Sequence, residues 1–150
     1  MKPTPTQDVS VRLTAWHEVL VLATLVGLLV SGLVWLLFQY VFAPELLGTH
    51  PAQALSMRAH GAFAMVMLLV VGALLPHHVS GAWRARRNHR SGTLLLAATL
   101  LLGGTGWLLY YASSPALREL SSACHWVAGL VMPLLLAWHL VQRHRPWRKG

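Results

Sequence analysis

Charge is what this chain has least of. Charged side chains make up 11% of its 150 residues, against a hydrophobic fraction of 55% and a mean hydropathy of +0.53. A water-soluble domain needs polar residues over its outer surface, and this composition does not supply them. Cysteine is nearly absent as well. Cys124 is the only one, which excludes an intramolecular disulfide and leaves the thiol to be read as a small buried residue. The sequence also lacks a small-residue cleavage site after its first apolar run. That run is longer than a signal-peptide core, so the first span is expected to stay attached. The net charge of +8 rests on 12 Lys+Arg, but these gather at span ends and in one loop. That pattern signals topology and contact with anionic lipid, and excludes a nucleic-acid surface, which needs its cations on an exposed face.

What is present is four apolar runs long enough to cross a bilayer core, which takes about 20 residues of helix. They lie at about 13–42, 56–79, 92–112 and 117–142. The expected fold is all-α: one domain over residues 1–150, a membrane four-helix bundle running up-down-up-down. The Ala43-Pro44 and His50-Pro51 breaks read as a loop from Ala43 to Leu55, and Ser113-Ser114-Pro115 closes the third span. The loop Trp83–Arg90 carries four arginines in eight residues. That loop, the arm with Lys2 and Arg12 and the tail Arg143–Gly150 all fall on one side of a four-span chain. The other two connections are nearly free of Lys and Arg, so both termini are expected to be cytoplasmic.

The last span organises the rest. His125 and His139 stand 14 residues apart with almost nothing polar between them. On a helix that separation rises roughly 21 Å and ends about 40° short of four full turns, so both imidazoles leave one face, near opposite ends. Ionisable side chains inside a span are costly and point to function. Span four enters from outside, which puts His125 near the outer face and His139 near the cytoplasmic face. Span one enters from the cytoplasm, so His17 is level with His139; span two enters from outside, so His60 is level with His125. Two cross-helix couples follow, His17 with His139 and His60 with His125, each able to take the iron of one haem. The Cys-x-x-Cys-His attachment signal is absent, so such haems are b-type, held by ligation and packing.

Other residues compete for these roles. His78 is 18 residues beyond His60, in phase with it, but its rise of roughly 27 Å overshoots the spacing on span four; His77 is about 100° out of phase. Pro76 leaves the local helix there open, and His17 is preferred over His78. His50, His89 and His144 read as solvated. Zinc fits poorly, because neither level gathers the three or four ligands a tetrahedral site takes. Arg58 and Arg118, at the outer ends of spans two and four, are candidates to pair a haem propionate, or else they snorkel to anchor the interface. Glu18 is either a partner for the neighbouring imidazole, a group in quinone protonation or a dipole-favoured first-turn residue. Pro133 is expected to kink span four between the two levels. Ser31-Gly32 leaves a notch where a helix or flat cofactor approaches the backbone.

The order of these features resembles the bacterial cytochrome b561 superfamily. The matching residues are Trp16-His17-Glu18 followed by Ser31-Gly32, Arg58-Ala59-His60-Gly61, Thr105-Gly106, and His125-Trp126 with His139, covering about Arg12 to Arg145. That group includes the di-haem b subunits of formate dehydrogenases and nickel-iron hydrogenases, and stand-alone four-span cytochromes such as superoxide oxidase. The resemblance implies two bis-histidine haems b, a quinone site near one of them, a bacterial inner-membrane location and electron transfer across the bilayer. A periplasmic or membrane-bound dehydrogenase or cytochrome is the implied partner. The chain is short, with compact loops and no extra span. Two other readings stand beside this one: a stand-alone quinone-reducing superoxide oxidase, and a haem-free structural or transport membrane protein.

Overall fold

The computed structural model describes residues 14–42, 50–84 and 88–143. Lys2, Arg12, the Ala43-Pro44 break, Glu45, Arg86, Arg87 and the basic tail from His144 lie outside the described residues.

Four helices account for nearly everything described: α1, Ala15–Phe42; α2, Pro51–Arg84; α3, His89–Tyr111; and α4, Pro115–Arg143. The protein is an all-α four-helix bundle whose helices are all long and apolar enough to cross a membrane. Among the described residues there is no strand. Backbone polar groups have no water to bond in a hydrocarbon core, and a helix satisfies them internally.

The helix ends follow local chemistry. His50-Pro51, expected to break the chain, starts α2 instead. Proline takes the first helical positions, where its missing N–H costs nothing, and the His50 ring accepts the Ala52 N–H at 3.2 Å. The helix therefore begins five residues before the expected Ser56. At its far end Pro76 has no N–H to give and its ring crowds the carbonyl four residues back. Residues Leu75–Val79 accordingly widen into a π-helical turn, and the Ser80 hydroxyl bonds the Pro76 carbonyl before the helix resumes through Ser80–Arg84. A second π turn, Phe38–Phe42, ends α1. Asn88, in the left-handed region at φ 52°, reverses the chain into α3, a conformation asparagine tolerates better than most residues. Pro115 opens α4, whose Leu117 N–H reaches the Ser114 hydroxyl at 3.4 Å. The α4 helix runs unbroken through Pro133.

Packing is by hairpins. α1 lies along α2 and α3 along α4, and the two hairpins also touch between α1 and α4. The interior is the reverse of a soluble core. Among the described residues Met67, Val70 and Met132 are the buried hydrophobic ones, outnumbered by buried Thr24, Ser31, Gln53, Ser56, Ser91, Thr105 and Ser121. Meanwhile Leu69, Leu100 and Leu134 are each about 70% exposed. Lipid tails solvate leucine as well as a protein core does, so helices associate through small and hydroxylated residues that let backbones approach. Gly27 shows how close: the Phe63 ring of α2 lies over it, 2.6 Å from where a Cβ would stand.

Candidate cofactor site

The bundle has two ends. The upper one holds the α1–α2 and α3–α4 connections, the lower one the α2–α3 turn and the start of α1. Histidines come together near each.

At the upper level His60 of α2 faces His125 of α4, with ring centroids 6.0 Å apart and planes inclined at 66°. These are the two residues that depth alone matched. Each is held from a neighbouring helix. The His60 Nδ1 lies 3.0 Å from the Ser31 hydroxyl and 3.1 Å from the Leu28 carbonyl, both on α1. The His125 Nδ1 lies 3.0 Å from the Thr105 hydroxyl of α3. A glycine follows each hydroxyl. A Cβ on Gly32 would stand 3.4 Å from the His60 Cε1, and one on Gly106 the same distance from the His125 Cε1. The Ser31-Gly32 notch therefore seats the histidine ring itself.

At the lower level His139 repeats the arrangement. Its Nδ1 is 2.9 Å from the Ser91 hydroxyl of α3, and the next residue, Gly92, would place a Cβ 3.7 Å from its Cε1. The ring beside it differs from the expected one. His78 has its centroid 6.5 Å from that of His139, at 74°. The rise and phase that argued against His78 assume regular α-helix, and the π turn at Leu75–Val79 departs from both. His17 instead stacks on Trp16, centroids 3.5 Å apart, and its Nδ1 contacts the Thr14 hydroxyl on its own helix. It lines a depression of about 290 Å³ with Leu20, Val66, Val70 and Ala73, between α1 and α2.

The remaining candidates are peripheral. Arg58 and Arg118 are exposed at the upper ends of α2 and α4. His50 stacks on Phe38, and His89 stacks on Trp83 while bonding its carbonyl at 2.9 Å. Helix α3 begins at His89, three residues before the expected start at about 92, so a histidine stands in its first turn. Among the described residues no group of three or more His, Cys, Asp or Glu comes together; the histidines meet in twos. The chain was compared with family models, curated proteins and solved structures. It matches none of them.

The ring pairs can be tested against a planar metal cofactor. An imidazole nitrogen binds a transition metal at about 2 Å, so two rings on opposite sides of one ion have centroids roughly 6 Å apart. Both observed separations, 6.0 Å and 6.5 Å, fit. Metal-bound histidines usually give their second nitrogen to a fixed partner, and His60, His125, His139 and His17 each have Nδ1 at a hydroxyl. Sequence reasoning missed Ser91 and the role of Thr105. The signal was there: Ser91-Gly92 and Thr105-Gly106 are spaced 14 apart, as His125 and His139 are.

Proposed function

We propose that this chain is a membrane di-haem b cytochrome that carries electrons across the bilayer between an outer-face redox partner and the quinone pool. The observation that supports it most is the His60–His125 couple, with His139 set below on the same helix and held in the same manner. His60 and His125 hold the upper haem. His139 holds the lower one together with His17, whose Nδ1 meets a hydroxyl as the other three do.

A specific contact favours a second reading of the lower level, in which His78, the ring beside His139, is the partner. Haem, when bound, supplies a one-electron carrier at each level. The chain's own residues fix the two imidazoles of each couple, surround them with apolar helix and set their separation along α4. Arg58 and Arg118 stand where propionates at the upper surface need a cation. With α2–α3 arginines and both termini toward the cytoplasm, the lower level is the cytoplasmic one, on the bacterial inner-membrane reading.

The test is a reduced-minus-oxidised visible spectrum of the purified chain, followed by quinol oxidation in proteoliposomes. Split b-type bands that vanish stepwise on removing the couples support the proposal. A chain that turns over superoxide alone favours the stand-alone oxidase, and one without b-type bands the haem-free reading.

A further inference from the structure

Helix α3 contributes no histidine to either couple, yet it touches both. Ser91 meets His139 and Thr105 meets His125. Fourteen residues separate the two contacts on α3 and on α4 alike, as an antiparallel pair in constant register requires. Helix α1 plays the same part for His60 through Ser31. In each case the hydroxyl is followed by a glycine against which the ring lies.

Each hydroxyl has only one proton, and each has a backbone carbonyl within reach to receive it. Ser31 Oγ donates to the Gly27 carbonyl at 2.6 Å, Thr105 Oγ1 to the Leu101 carbonyl at 2.7 Å, and Ser91 Oγ to the Asn88 carbonyl at 3.2 Å. A hydroxyl that gives its proton to that carbonyl accepts from the imidazole. The Leu28 carbonyl, 3.1 Å from the His60 Nδ1, is an acceptor in any case. In that assignment Nδ1 carries the ring proton and Nε2 carries the lone pair.

We infer that Ser31, Thr105 and Ser91 are positioning residues, each relaying Nδ1–H to hydroxyl to backbone carbonyl so that His60, His125 and His139 present Nε2 as the metal-binding nitrogen. This deepens the haem reading and rests on it for the consequence, though the tautomer itself belongs to the haem-free chain. Hydrogen bonding at Nδ1 makes the ring a more basic ligand, which favours the oxidised iron of a bound haem and lowers the potential of that level.

The test uses the full-length chain in two forms. In the haem-free protein, nitrogen NMR of 15N-histidine should show the Nδ1–H tautomer at His60, His125 and His139. Thr105→Val keeps the shape and removes the hydroxyl. It should lower the Nδ1–H to Nε2–H ratio of His125 by roughly threefold to tenfold, the worth of one net hydrogen bond. In the haem-loaded protein the same change should raise the upper midpoint potential by up to about 59 mV, the equivalent of tenfold for one electron. Thr105→Ser keeps the hydroxyl and should leave both readings as in the parent chain; Ser31→Ala should act on His60 in the direction of Thr105→Val.

An Nε2–H tautomer in the parent chain would overturn the inference. So would a Thr105→Ser effect as large as that of Thr105→Val, because packing alone is then at work. If the parent chain shows the Nδ1–H tautomer but takes up no haem, the relay stands and the cytochrome proposal falls.

Discussion

The two histidine levels are built from the same parts but with different tolerance. At the upper level each ring has one facing partner, and each is fixed from a neighbouring helix by a hydroxyl and a glycine, His60 by the Leu28 carbonyl as well. At the lower level His139 is held across helices by the Ser91 hydroxyl. Its two candidate partners sit on different supports: His17 on a contact with the cap residue Thr14 that precedes α1, His78 on the π turn that Pro76 imposes on α2. The upper couple is pre-organised by regular helix. The lower couple depends on helix ends, where backbone geometry departs from the ideal. The lesson is that a ligand pair inherits the regularity of the backbone beneath it.

The strongest way to break this comparison is to delete an upper ring. His60→Ala or His125→Ala should each remove one haem of two, leaving a haem-to-protein ratio of about one and a single remaining potential. At the lower level the outcome should discriminate partners. His17→Ala should remove the lower haem and His78→Ala should leave two; the reverse pattern assigns the lower couple to His78. Pigment analysis of both variants reads this directly.

Smaller effects should follow from crowding. Gly32→Val or Gly106→Val places a branched side chain where a Cβ alone already stands 3.4 Å from the ring. Each should weaken upper haem binding by about 10- to 100-fold, as other losses of ligand support do. Gly92→Ala, with 3.7 Å available, should cost the lower haem less. The smallest spectral effect belongs to Gly27→Ala. The Phe63 ring must move, which should lower thermal stability by about 1–3 kcal/mol while both haems stay bound.

Much of this architecture could be read from residue order. Apolar run length located four spans, because a bilayer demands about 20 helical residues whatever the protein does. Depth matched His60 with His125, because both lie near the start of a helix entering from the same side and regular rise converts residue count to height. The same conversion failed across Leu75–Val79, where proline forces a wider turn. The start of α2 was misplaced because His50-Pro51 serves equally as a break and as a helix cap followed by an N-terminal proline. Ser91 escaped notice because a lone serine at a helix start looks like any first-turn residue. Its contact with His139, 48 positions away, gives it a role.

The most direct test of the central claim is to count haem in the purified chain and titrate it. Two b-type haems per polypeptide, low-spin with two resolved one-electron potentials, are what facing histidine couples at two heights predict. A chain supplied with excess haem that binds none, or only one in a high-spin form, would contradict it.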